Sequence, residues 1–322
     1  MAKTSDVLES KQIPLVQDFL NFLKSPINQI DSGEKLTTTN KLWRVFEIVA
    51  FSGVLSYLMV LITNYITNFL GYSQEENNKV GDFINQYPVL VSLLFIVVIG
   101  PLIEELAFRM PLTIIKNTFY LGVYFLIYFL SPLALELTNL SPDSKGNINF
   151  ITVVLMAPLF LYLSVYVNFE PIKKLIEKYF TFWVYLLSII FGFVHLGNYE
   201  NFNRFWYLVP LLVISQIFAG FVFAFVRLKY GFLFAWFAHS AYNFIFSISL
   251  FLYSLVLGAD KLKTIAALLN SGKLEEFNNL LSQGDKFSIT VINLTLAVTY
   301  TFVFYIFLKN LWQYFRWISK RT

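Results

Sequence analysis

Long apolar stretches separated by short polar segments run through the chain. Most of them approach or exceed about 20 residues, the length that an α-helix needs to cross the hydrocarbon of a bilayer. Membrane-spanning β-strands would instead give segments of about ten residues with alternating polarity. The pattern therefore predicts an all-α fold, a polytopic transmembrane helical bundle with about eight spans. The predicted spans cover residues 43–70, 88–115, 118–139, 149–168, 181–198, 205–227, 231–257 and 288–310.

Polar segments on either side of these spans divide the chain into three parts. Residues 1–42 form a leader, residues 43–310 form the transmembrane bundle, and residues 311–322 form a basic tail. The leader favours either a short amphipathic helix on the membrane surface or a flexible segment, with Pro14 as an interruption. Its apolar positions are Val7, Leu8, Leu15, Val16, Phe19, Leu20 and Leu23.

Composition supports the membrane assignment. Hydrophobic residues make up 57% of the chain and charged residues only 14%, whereas about a quarter of a soluble domain is charged. The net charge of +4 comes from loop lysines and gives no indication of nucleic-acid binding. The chain has no cysteine, which excludes disulfides, thiolate nucleophiles and thiolate metal ligands.

The distribution of positive charge predicts the orientation. If eight spans cross the membrane, all but seven of the 24 lysines and arginines lie on the side of the two termini. Positive residues accumulate on the cytoplasmic side, so we expect a multi-pass integral membrane protein, in the cell membrane if bacterial, with both termini cytoplasmic. The seven exceptions are Lys79, Lys145, Arg204, Lys261, Lys263, Lys273 and Lys286.

The second span contains two adjacent carboxylates and an arginine. Adjacent helix positions point about 100° apart, so Glu104 and Glu105 face different neighbours. Glu105 and Arg109 share a face one turn apart, which predicts an ion pair that supports the structure. Glu104 has no local partner, and such a carboxylate suits a general acid or base. Pro101 can break the helix and admit water, and Pro111 can end it.

The two histidines of the chain lie in the fifth and seventh spans, each with a partner four residues away. Phe191 shares a face with His195 and can wall off a site that His195 enters. His239 shares a face with Asn243, and the two can donate to one oxygen, as an oxyanion requires. The alternatives are a histidine packed in the core and polar contacts that hold helices together.

Depth along the helices places these groups in the hydrocarbon, where ionisable side chains are costly and usually functional. A rise of about 1.5 Å per residue brings Glu104, His195 and His239 to similar levels. We therefore expect them to meet Asn243 at one water-accessible cavity that opens toward the cytoplasm.

The three motifs, in this order, resemble those of the CAAX-protease and bacteriocin-processing family of intramembrane proteases, also called the Abi family. Each motif alone is weak, but three in order within three predicted spans form a specific pattern. The motifs are Glu104-Glu105-x-x-x-Arg109, Phe191-x-x-x-His195 and His239-x-x-x-Asn243.

This resemblance implies a helical peptidase that activates water within the membrane. Glu104 would be the general base, with His195 holding or polarising the water, and His239 and Asn243 would bind the oxyanion. The implied partners are the lipid bilayer and a peptide or a lipidated protein as substrate. The remaining motif residues would support the structure, namely Glu105, Arg109 and Phe191.

The chain departs from the family pattern in two places. Residues 117–180 intervene between the first two motifs and add two predicted spans. An even number of spans preserves the relative orientation of the motif helices, although the substrate entrance can differ. Met110 stands where a glycine commonly follows the family's arginine. Neither change removes a reactive group.

Metal dependence and two further functions remain as alternatives. One carboxylate and two imidazoles can hold zinc or another divalent metal and leave a position for water, but the same groups can activate water without metal. A non-catalytic membrane scaffold or immunity protein would keep the same bundle. A proton-coupled transporter would also use buried ionisable groups, but such proteins often contain internal repeats, and none is evident.

Overall fold

The computed structural model describes residues 13–321, apart from 34–35, 75–82, 84–85, 137, 139–140, 201 and 271–273. Helices make up nearly all of this described part, and it contains no β-strand. The helices are α1 Leu15–Lys24, α2 Thr38–Phe69, α3 Val89–Leu112, α4 Lys116–Glu136, α5 Pro142–Tyr166, α6 Glu170–Lys178, α7 Phe180–Asn198, α8 Val209–Tyr230, α9 Phe232–Leu257, α10 Ala259–Asn270, α11 Leu274–Leu280 and α12 Gln283–Ile318.

Seven helical segments within the described residues are long and apolar enough to cross a membrane. They are α2, α3, α5, α7, α9, α12 and α8 with the 3₁₀ turns before it. A further helix, α4, has 21 residues and coincides with the third predicted span. The prediction of a polytopic helical bundle with about eight spans is confirmed, and the chain is an integral membrane protein.

The leader is helical and docked against the bundle. Helix α1 begins directly after Pro14, which is its N-cap residue. The Phe19 and Phe22 rings both pack against Phe225 of α8. Residues 15–24 are therefore neither a flexible segment nor a helix lying on lipid alone. The apolar residues Val7 and Leu8 fall outside the described residues.

Helix α12 runs for 36 residues and ends only at Ile318. Most of the tail predicted at 311–322 thus continues the last span as helix. Ile13 and Arg321 line the same cavity, so the first and last described residues lie at one end of the bundle, which we call the terminal end. The opposite end, where α2 and α7 finish, is called the far end.

Helices α7 and α8 cross closely at the centre of the bundle. A side chain in place of Gly220 on α8 would put its Cβ 2.8 Å from the backbone oxygen of Ser188 on α7. Glycine, whose side chain is a single hydrogen atom, is therefore required at position 220 for the two backbones to approach this closely. Because α7 also contains His195, the same crossing fixes where that histidine lies.

We expect Gly220→Ala to lower the free energy of unfolding by about 1–3 kcal/mol, because the added methyl group overpacks a rigid backbone contact. Thermal unfolding of the purified protein measures the effect. Gly53→Ala is the matched control, since a Cβ at Gly53 would meet no atom within 4 Å. Equal stability of the two variants would contradict the close crossing.

The inserted segment 117–180 forms a peripheral hairpin. Helix α5 packs mainly on α4, and α4 in turn packs extensively against α3. The outward surface of α5 is strongly exposed, with Phe150 at 70% and Leu161 at 68%, as expected of a helix that faces lipid. The insertion therefore adds to the outside of the bundle.

Candidate functional site

The helix that presents the two glutamates is irregular one turn before them. Residues Phe95–Ile99 form a π-helical segment, in which the Gly100 N–H donates to the Phe95 oxygen. The next bond of this type would need an N–H from Pro101, which has none. Pro101 therefore does not break the helix as the sequence suggested, because the wider π turn accommodates it.

Asn243 of α9 supplies the hydrogen bond that Pro101 cannot give. Its Nδ2 donates to the Ile96 backbone oxygen at 2.9 Å. The Trp236 Nε1 donates in the same way to the Val98 oxygen at 3.1 Å. Asn243 thus holds α9 to α3. This is the helix-to-helix contact that the sequence analysis gave as the alternative to oxyanion binding. Its second amide hydrogen is not used by this bond.

Glu104 lies beside both histidines of the chain. Its Oε2 is 3.5 Å from His239 Nε2 and 3.9 Å from His195 Nε2. The His195 Nδ1 lies 2.7 Å from the Phe191 backbone oxygen. A carbonyl oxygen only accepts, so Nδ1 carries the hydrogen, and Nε2 of the neutral ring is left as an acceptor facing Glu104.

Glu105 points into the protein and is fully buried, as is Arg109. Arg109 Nε lies 3.7 Å from Glu105 Oε1, so the two side chains form an ion pair, although this distance is too long for a hydrogen bond. The nearer partner of that oxygen is His239 Nδ1 at 3.1 Å. The guanidinium instead lies over the Phe191 ring, 4.9 Å from its centroid. Glu105 therefore orients a histidine as well as balancing an arginine.

Aromatic rings form the apolar wall around the two imidazoles. Phe191 is fully buried, and its ring contacts both His195 and His239, with centroid distances of 4.8 and 5.6 Å. On another side, Phe223 stacks on His239 at 4.2 Å. The two rings restrict the orientation of His239 and exclude water from that side of it.

A cavity of about 350 Å³ adjoins these groups. His195, His239 and Asn243 line it, and Glu104 lies directly beside the two histidines. It extends toward Gln74 and Asn198, which lie at the far end of the bundle. The far end is opposite the chain termini, so the cavity cannot open to the cytoplasm if both termini are cytoplasmic.

Carboxamide side chains are the part of this site that the sequence analysis missed. They come from three separate helices and the segment after α2, and none belongs to the three motifs. The sequence feature that could have identified them is the presence of several asparagines and glutamines within or just beyond apolar spans, where polar groups are unusual. These residues are Asn64, Gln74, Asn198 and Gln216, and they line the cavity together with Asn243 of the third motif.

The donor types of Glu104, His195 and His239 suit zinc in kind, as one carboxylate oxygen and two imidazole nitrogens. Among the described residues, however, no group of three or more histidine, cysteine, aspartate or glutamate side chains is arranged to hold a metal ion. Glu104 Oε2 lies 3.5 and 3.9 Å from the two imidazole Nε2 atoms, and the steps proposed below are derived from these side chains alone.

Comparisons with models of protein families, with curated proteins and with solved structures find no match to this chain.

Proposed function

We propose that this protein is an intramembrane endopeptidase. The observation that carries the proposal is the placement of one carboxylate, Glu104, within 4 Å of Nε2 of both His195 and His239 beside a cavity inside an apolar bundle. Ionisable groups in such an interior mark function. The resemblance of the three motifs to those of the CAAX-protease and bacteriocin-processing family adds support.

Glu104 Oε2 and His195 Nε2 are hydrogen-bond acceptors that face each other, and together they could activate a water molecule placed between them. The distance of 3.9 Å between Glu104 Oε2 and His195 Nε2 is too long for a direct hydrogen bond. A water molecule that donates one hydrogen to each atom would present its lone pairs to a peptide carbonyl carbon. As the C–O bond forms, a proton passes to Glu104. Glu104 then protonates the leaving nitrogen when the C–N bond breaks.

His239 and Asn243 are the donors that would stabilise the oxyanion. In this role both ring nitrogens of His239 carry hydrogen, with Nδ1 donating to the Glu105 carboxylate 3.1 Å away and Nε2 donating to the oxyanion. Asn243 has one amide hydrogen left after its bond to Ile96. In this scheme Glu105 is a positioning residue, since it acts through His239.

The lining of the cavity supports a peptide as substrate. Uncharged amides can donate to peptide oxygens and accept from peptide N–H groups without discriminating among side chains. The aromatic walls suit an apolar segment. We therefore propose an extended, mostly uncharged stretch of a membrane-associated peptide or lipidated protein as substrate.

The test is cleavage of a panel of membrane-associated peptides, with and without prenyl groups, by the purified protein. We expect cleavage that persists in the presence of a chelator. Loss of activity with chelator and recovery with zinc would establish metal dependence instead. Proton flux in liposomes without cleavage would favour a transporter, and neither activity would favour a scaffold.

We further propose that both termini are cytoplasmic, so that the cavity opens to the outside of the membrane. The positive charges concentrate at the terminal end. The native chain has no cysteine, so single cysteines can be mapped without background. Lys286→Cys at the far end should react with an impermeant thiol reagent in intact cells, and Lys178→Cys should react only after lysis. The reverse pattern would contradict this orientation.

A further inference from the structure

The terminal end of the bundle contains a second and larger cavity, of about 680 Å³. It lies between the beginning of α2 and the last turns of α12, and Ile13 and Pro14 close one side. We call it the terminal cleft. It is separate from the candidate site, which extends toward the far end, and the proposed peptidase activity does not involve it.

Positive charge dominates the terminal cleft. One carboxylate, Glu47, faces five cationic side chains. Glu47 is already engaged, because Arg44 lies 3.0 Å and Lys309 2.9 Å from its two oxygens. Among the described residues, the other three cations have no carboxylate partner within ion-pair distance. These three are Arg316, Lys320 and Arg321.

Tryptophans give the terminal cleft its apolar walls and prepare the arginines for an anion. The Arg321 guanidinium lies 3.9 Å from the Trp317 ring centroid, and that of Arg316 lies 5.1 Å from that of Trp312. A guanidinium held against a ring keeps its in-plane N–H groups available for two parallel bonds to a phosphate.

The position of the terminal cleft indicates which anion it meets. It sits at the ends of two membrane-spanning helices, α2 and α12. Trp43 and Trp312 remain 48% and 59% exposed, and tryptophans with such exposure are typical of the level of lipid headgroups. The anionic headgroup of a lipid bound at this level would place its acyl chains along the exposed apolar surface of α12, where Phe315 is 62% exposed.

We propose that the terminal cleft binds the phosphate headgroup of an anionic phospholipid. Arg316, Lys320 and Arg321 contact the phosphate, and the tryptophans pack against the glycerol and the upper acyl chains. Such a lipid would join α2 to α12, which within the described part of the chain are linked at this level by the ion pair between Glu47 and Lys309. The ligand class is phosphate-bearing, and its lipid source follows from the membrane level of the site.

The experiment measures thermal unfolding of the full-length purified protein in detergent micelles while phosphatidylglycerol is titrated in. Parallel titrations use phosphatidylcholine, glycerol 3-phosphate and inorganic phosphate. A ligand that binds only the folded state raises the unfolding temperature in a saturable manner, which gives an apparent affinity.

We expect phosphatidylglycerol to raise the unfolding temperature and the other three ligands to have little effect. The triple variant Arg316→Gln, Lys320→Gln, Arg321→Gln should weaken phosphatidylglycerol binding by about tenfold to a hundredfold. The matched control is Lys173→Gln, Lys174→Gln, Lys178→Gln, which removes the same number of cations from α6 at the same end and should bind normally.

Equal binding of phosphatidylglycerol by the triple variant, the control variant and the native protein would overturn the proposal. So would an equal effect of inorganic phosphate or glycerol 3-phosphate, because the ligand would then be a soluble anion. If the triple variant fails to fold, the three single variants decide. Each replaces an exposed side chain and should weaken binding by about fivefold, and unchanged affinity in all three rejects the lipid site.

Discussion

Glu104→Gln is expected to abolish peptide cleavage while leaving the fold nearly unchanged. Glutamine keeps the shape of the side chain, but it cannot accept the proton of the attacking water. Loss of a general base costs about 10²–10⁴-fold in rate. Stability should change little, because Glu104 Oε2 makes no hydrogen bond among the described residues and its contacts with the imidazoles are 3.5 and 3.9 Å long.

The measurement is single-turnover cleavage of the best peptide from the panel, together with thermal unfolding of the same preparation. Glu177→Gln is the matched control, since it removes a carboxylate from the exposed surface of α6. His195→Gln should lower the rate as well, because it removes the second acceptor for the water. Full activity of Glu104→Gln would assign the base to a different group and remove the main support for the peptidase proposal.

Glu105→Gln should mainly reduce stability. The substitution leaves the Arg109 guanidinium fully buried without a charged partner 3.7 Å away. Breaking a buried pair by removing one charge costs about 3–5 kcal/mol. The same change weakens the hold on His239 Nδ1, so the activity of the molecules that remain folded should also decrease.

A second substitution separates the two effects. Glu105→Gln combined with Arg109→Met removes both charges and fills a similar volume, and it should regain much of the lost stability. Activity should not recover, because His239 still lacks its carboxylate. Chemical denaturation of the single and double variants measures the coupling. A stable and fully active Glu105→Gln protein would mean that neither Arg109 nor His239 depends on this carboxylate.

The sequence alone predicted the properties that belong to a single helix, namely that it spans the membrane and which polar residues it contains. The length of the apolar stretches sufficed for the all-α membrane bundle, because a span requires a certain number of apolar residues whatever surrounds it. The same logic identified Glu104, His195 and His239 as unusual groups, since their cost in hydrocarbon does not depend on their neighbours. It also separated the faces of Glu104 and Glu105, which differ by one helix position.

Contacts between helices were decided only by tertiary structure. Spacing predicted that Glu105 pairs with Arg109 four residues away, and that pair forms at 3.7 Å, but the closer contact of Glu105, at 3.1 Å, is with His239, 134 positions further along the chain. Likewise, Asn243 donates to a backbone oxygen that became available only because Pro101 is accommodated in a π turn of another helix. A sequence pattern specifies which residues share a face, but not which helix that face meets.

The lining of the two cavities, and the direction in which the candidate site extends, were also visible only in the assembled bundle. The carboxamides of the cavity come from segments far apart in sequence, and only their packing shows that the cavity extends away from the termini. The cations of the terminal cleft are evident in the sequence as a basic tail, yet their meeting with Arg44 and Trp43 depends on α12 packing beside α2. Local composition determined which groups were present, and long-range packing determined which of them could act together, because a side chain reaches only the few groups that tertiary contacts place beside it.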